Sequence, residues 1–101
     1  MLKRYIVKSE MLRQADDEAR DTEIVWYDLV EPTREEEVRV EQVLGIEVPT
    51  REEMHEIELS SRLYFEKAAA YVTITVVTRG DSDSPEIHNI SFILSRNTLV
   101  T

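Results

Sequence analysis

The sequence predicts an α/β fold: a mixed sheet with an antiparallel C-terminal meander and two short helices covering one face. Three observations lead there. A stretch dense in β-branched and aromatic residues, Ile24-Val25-Trp26-Tyr27-Asp28-Leu29-Val30, precedes two helix-start signals. Those signals share one sequence, Pro-Thr-Arg-Glu-Glu, at Pro32 and again at Pro49. After Ser60-Ser61 the hydrophobic period changes from helical to alternating and stays so to the end. The 101 residues suffice for one modest core but not two, so a single domain spanning 1–101 is expected.

The opening Leu2–Val7 reads as a short strand, with Tyr5, Ile6 and Val7 supplying β-propensity. Lys8 to Thr22 is weakly patterned and polar, and is read as a helical turn around Met11–Ala15 or as a loop. The strand at Ile24–Val30 stops at Pro32, which has no N–H to give a sheet ladder. In each Pro-Thr-Arg-Glu-Glu the threonine is placed to cap a helix, and a glutamate three residues on completes a capping box. The first helix should run to about Leu44, burying Val40, Val43 and Leu44, with Gly45 as the left-handed C-terminal residue. The second should run from Arg51 to about Leu59, with Met54 and Ile57 inward. The repeat covers only the caps and is not a duplication.

Leu63–Glu66 forms a short strand, and Lys67-Ala68 a turn. Tyr71–Arg79 alternates cleanly, with Val72, Ile74 and Val76 on one face and Thr73, Thr75 and Val77 on the other. Gly80-Asp81-Ser82-Asp83-Ser84-Pro85 is rich in turn formers. The chain returns through Ile87–Ser95, with Ile90, Phe92 and Leu94 on one face, and turns at Arg96-Asn97 into Thr98–Thr101. The chain stops within an apolar β-run, and a fragment of a longer protein is expected.

Charge excludes some functions. The chain carries 12 Lys plus Arg against 21 Asp plus Glu, a formal charge of −9. Nucleic acid is not an expected partner, because a polyanion needs a basic stripe. Residues 31–58 hold ten acids and three bases, and so −7 of the total. A well-solvated helical face explains that cluster, and the caps explain its glutamates. No run approaches the ~18 apolar residues of a membrane helix. There is no cysteine, and therefore no disulfide, thiol nucleophile or cysteine-based zinc site.

Catalytic chemistry has little support. With Gly45 and Gly80 the sole glycines, phosphate-cradling loops are excluded. His55 lies near Glu52 and Glu56, but the second histidine of a His-Glu-x-x-His pair is missing, and His88 stands apart. Asp28 beside Glu31 has the form of an acid/base pair, but a carboxylate closing a strand is more commonly a turn former. No enzyme is expected. Asp81 and Asp83, with Glu86 nearby, offer the hard oxygen ligands that Mg²⁺ or Ca²⁺ accepts, in a motif that is unspecific alone.

Several segments together bear on that motif. Trp26-Tyr27-Asp28-Leu29-Val30-Glu31-Pro32-Thr33, Leu44-Gly45-Ile46, Pro49-Thr50-Arg51-Glu52-Glu53-Met54, Ile57-Glu58 and Ser60-Ser61-Arg62-Leu63-Tyr64 occur in that order. In order and spacing they resemble the N-terminal cytoplasmic domain of the CorA family of divalent-cation transporters, which includes the ZntB branch. Phe92-Ile93-Leu94 and Thr98–Thr101 look like that domain's next strands. The resemblance runs from about residue 24 to the end.

The resemblance implies a homopentameric magnesium/cobalt transporter on the cytoplasmic face of the inner membrane, attached through C-terminal helices this chain lacks. The Gly-Met-Asn signature between the two spans is also absent. The fragment alone is expected to be soluble, unable to conduct ions, and monomeric or weakly associated. Magnesium-transporting members bind regulatory Mg²⁺ between neighbouring cytosolic domains, one carboxylate lying in the loop after the long strand. Here that loop holds Asp81 and Asp83, and the partner carboxylate would lie beyond residue 101. The expected function is therefore a cytosolic domain that senses Mg²⁺ and helps gate a pore. The alternative is a stand-alone acidic module that docks a basic protein partner through residues 31–58.

Overall fold

The computed structural model describes residues 1–56, 62–79 and 83–101. Its strands are β1 (Leu2–Lys8), β2 (Met11–Gln14), β3 (Ile24–Leu29), β4 (Leu63–Glu66), β5 (Ala69–Thr78), β6 (Glu86–Ser95) and β7 (Thr98–Val100). Two helices, α1 (Arg34–Leu44) and α2 (Arg51–Glu56), lie between β3 and β4. The strands form one sheet in the order β2-β1-β3-β7-β6-β5-β4. Every pairing is antiparallel except β3 with β7, so the α/β fold with a mixed sheet and an antiparallel meander holds.

Met11–Gln14 departs from expectation, being a strand rather than a helical turn or loop. All four of its residues are exposed, so no burial constraint imprints an alternating pattern on it. A two-residue turn at Ser9 and Glu10 forms the hairpin, with φ of 54° and 64°. Turns of this hand usually take Asn or Gly, and Ser-Glu carries no such mark. Lys67 and Ala68 make the equivalent turn between β4 and β5.

A bulge sets the inner face. Tyr5 pairs with Trp26 but Ile6 with Ile24, leaving Val25 as the extra residue. Ile24 and Tyr27 therefore point to the same side although three positions separate them, and both are buried. There they join Val40, Ile46, Ala69, Tyr71, Ile93 and Val100 in one core. Tyr5 and Trp26 stack on the opposite side with ring centroids 4.4 Å apart.

α1 packs against β3, and α2 against β6. The first capping box is complete: Glu36 N–H donates to Thr33 Oγ1 at 3.2 Å, and Thr33 N–H to Glu36 Oε1 at 2.9 Å. Gly45 closes α1 at φ 66°, with its N–H on Glu41 O at 2.8 Å. Val40 is fully buried and Leu44 half-buried, whereas Val43 is exposed, contrary to expectation. At about 100° per residue, Leu44, Glu37 and Glu41 all fall to one side of Val40 and Val43 to the other. The sheet covers the first side. α2 repeats the box between Thr50 and Glu53, at 3.2 and 3.4 Å. Its expected continuation to Leu59, with Ile57, lies outside the described residues.

The two faces of the meander fall as the alternation required. Val72 pairs with Phe92, Ile74 with Ile90 and Ala70 with Leu94 on one side; Tyr71 pairs with Ile93 and Thr73 with Ser91 on the other. The helices cover the Tyr71 side. The apolar Val72–Ile74–Phe92 row faces away from them.

Candidate functional site

The β5–β6 hairpin is the longest pairing in the sheet, ten residues against ten, and its tip carries the acidic loop. Asp81 lies outside the described residues. Asp83 is described and is exposed at the tip. Glu86 has Arg79 3.6 Å from one carboxylate oxygen and His88 3.3 Å from the other. Both contacts lie at the loop end of the hairpin, where Glu86 is paired with Thr78.

The other sequence candidates are dispersed. His88 lies on β6 and His55 in α2, whose histidine side chain is not among those described. Asp28 sits inside β3, not in a turn, and accepts from Thr101 Oγ1 at 2.9 Å, which in turn accepts from Trp26 Nε1 at 2.8 Å. That chain ties β3 to the end of β7. No group of three or more His, Asp or Glu placed to hold a metal occurs among the described residues.

Several acids of the 31–58 segment have local partners. The Thr33 N–H, with the N-terminal ammonium of Met1 3.1 Å away, holds the Glu36 carboxyl down at about 2. Arg34 bridges Glu37 at 2.9 Å and Glu41 at 3.2 Å. Lys67 lies 3.7 Å from Glu47. Capping and local pairing thus occupy Glu36, Glu37, Glu41 and Glu47.

A polar cleft of about 360 Å³ opens between β1, β2 and the start of α1, lined in part by Arg4, Gln14, Thr33, Glu36 and Arg39. Its buried base is Arg4, which donates to the carbonyls of Ala19 at 3.0 Å and Asp16 at 2.7 Å. Arg4 also approaches Asp21, at 3.6 Å, and Asp21 accepts from the Tyr27 hydroxyl at 2.8 Å. Sequence reasoning did not single out this cluster. Its one signal is a cation in mid-strand between Leu2 and Ile6, both packed on the core. Its hydrogen bonds serve to hold the 15–21 loop against the sheet.

No helix among the described residues is long and apolar enough to cross a membrane. No protein-family model matches the chain. The chain is similar to curated proteins named magnesium transport protein CorA. That of Wolinella succinogenes is 30% identical over 83 residues, 77% of this chain and 26% of the relative. That of Sodalis glossinidius is 31% identical over 74 residues, 71% of this chain and 23% of the relative. That of Escherichia coli K12 is 48% identical over 40 residues, 40% of this chain and 13% of the relative. The chain spans about a quarter of the length of the first two relatives and less of the third.

Proposed function

We propose that this chain is the N-terminal cytosolic part of a CorA-type magnesium transporter, serving regulation by intracellular Mg²⁺ and not catalysis. The observation that carries the reading is the similarity to magnesium transport proteins over 71% and 77% of the chain. The α/β fold and the acidic hairpin tip are consistent with it. In the full-length protein the domain sits on the cytoplasmic face of the membrane, in a pentamer, attached through C-terminal helices.

The tip suits the ion chemically. Mg²⁺ takes oxygen ligands and keeps much of its water, so one or two carboxylates from each subunit suffice. Asp83 is exposed, and Glu86, the other described carboxylate of the β5–β6 hairpin, pairs with Arg79 and His88. Asp81 and Asp83 are thus the proposed ligands, and the ion's role is to relieve repulsion between acidic neighbours and favour one closed assembly.

Two experiments test the reading at its two levels. The reading frame downstream of the coding segment should encode two apolar spans around Gly-Met-Asn; a frame ending without them overturns the transporter assignment. A Mg²⁺ titration by amide NMR, at constant ionic strength with Ca²⁺ and Na⁺ controls, should give saturable shifts at residues 81–83. Diffuse, unsaturated shifts over residues 31–58 would remove sensing from this chain and leave the family assignment intact.

A further inference from the structure

Glu86 and His88 stand two positions apart on β6, so both project from the face of the sheet that turns away from the helices. Across the pairing they meet Thr78 and Val76 of β5, neither of which is charged. His88 Nε2 lies 3.3 Å from Glu86 Oε2, and the two side chains are 46% and 52% exposed. Arg79 stands 3.6 Å from the other carboxylate oxygen, Oε1. One oxygen of Glu86 is thus turned to a guanidinium and the other to an imidazole nitrogen that solvent can reach.

We propose that His88 and Glu86 form a two-donor site for a transition-metal dication of the Zn²⁺, Co²⁺ or Ni²⁺ class, separate from the Mg²⁺ ligands at the loop tip. The donor set selects the ion. Imidazole nitrogen with carboxylate oxygen suits these metals, whereas Mg²⁺ takes oxygen and gives up its water reluctantly. Spacing agrees with the chemistry. Donors about 2.1 Å from a tetrahedral ion stand roughly 3.4 Å from each other, and Nε2 and Oε2 are already 3.3 Å apart. Both lie on the ten-residue pairing of β5 with β6, so the backbone that carries them is ordered before the ion arrives. Arg79 fixes the carboxylate from its far oxygen, as an outer-shell partner does for a metal ligand. On binding, the hydrogen between Nε2 and Oε2 is given up, and the imidazole keeps its proton on Nδ1. Water fills the remaining positions, which makes the site weak and reversible. It does not rest on the transporter reading.

The test is a titration of the purified chain with Zn²⁺ alone near neutral pH, followed through the histidine ring resonances. A saturable one-to-one shift of the His88 ring is expected. Mg²⁺ at the same ionic strength should leave that ring unmoved. His88→Gln should abolish the binding, and Glu86→Gln should weaken it by at least about tenfold. Both positions are exposed, so neither change disturbs the core, and circular dichroism checks that each variant is folded. Acidification should release the metal, since protons compete for Nε2; the described charged groups beside the ring are Glu86 and Arg79. Joint Asp81→Asn and Asp83→Asn substitution should leave Zn²⁺ affinity within about twofold. Loss of Zn²⁺ binding in that double variant would place the metal in the tip and overturn the proposal. A His88 ring unmoved by Zn²⁺, a shift centred on His55, or binding that survives His88→Gln overturns it equally, and none of these bears on Mg²⁺ at residues 81–83.

Discussion

Arg4 and Tyr27 lie directly opposite each other on β1 and β3, and both reach the same carboxylate oxygen of Asp21. The phenol donates to Asp21 Oδ1 at 2.8 Å, and the guanidinium stands 3.6 Å from that atom. Tyr27 is fully buried, so the bond satisfies a hydroxyl that water does not reach. Asp21→Ala leaves that hydroxyl unpartnered and is expected to cost about 1–3 kcal/mol. Tyr27→Phe removes donor and need together and should cost less, about 0.5–1.5 kcal/mol. Urea unfolding of both variants and their double mutant measures the coupling.

Alkaline stability should report the same tyrosine. Burial first, and then the bond to Asp21, raise the Tyr27 phenol well above its ordinary range. Burial also raises Tyr64 and Tyr71, which stack 4.7 Å apart. An unfolded phenol ionises near about 10, below the folded one, so the unfolded state loses protons first as pH rises. Stability is therefore full below about pH 10 and declines above it. Unfolding midpoints taken across this range should fall, and fall less steeply in Tyr27→Phe.

At acid pH the corresponding group is Glu36. Its folded carboxyl titrates at about 2 against an ordinary 4.5, because the Thr33 N–H and then the Met1 ammonium favour the charged form. This depressed value contributes stability above about 4.5, lost as pH falls towards 2. Glu36→Gln keeps an oxygen for the cap but does not titrate, so its acid limb should be flatter. Thr33→Ala, which removes the reciprocal acceptor, should cost about 1 kcal/mol near neutral pH.

Gly45 isolates a backbone effect. It adopts φ 66°, and an added Cβ would meet nothing within 4 Å. Gly45→Ala should therefore destabilise through the left-handed conformation alone, by about 1 kcal/mol, and Gly45→Asn by less. Thermal unfolding of the two variants measures the difference.

Much of the fold was legible because its signals are local. Thr33 with Glu36, and Thr50 with Glu53, form capping boxes that need only a four-residue window. The β5–β6 hairpin follows from strict alternation on both strands. β2 was not legible: an exposed edge strand has no buried side to pattern it, and Ser9-Glu10 lacks the residues that mark its turn. Val43 was misplaced because an apolar residue beside Val40 matches the helical stripe until the sheet selects which flank it covers. At the candidate site the acidic tip was legible, but the engagement of Glu86 by Arg79 and His88 was not, since it depends on which side chains the hairpin register brings together.

The amino-acid order alone settled what a few neighbouring residues can enforce: two capped helices, the left-handed stop at Gly45, and the period-two strands of the meander. Tertiary structure decided which side of those strands is covered. Alternation in β5 yields two faces, Tyr71 with Thr73 and Val72 with Ile74, and nothing in the period ranks one above the other. The bulge at Val25, the packing of Val40 and Ile46, and the hydroxyl of Tyr71 on the Glu47 carbonyl at 2.7 Å together put the helices on the Tyr71 side. Burial is a property of packed layers, and a strand carries no record of its layer until another element is laid against it.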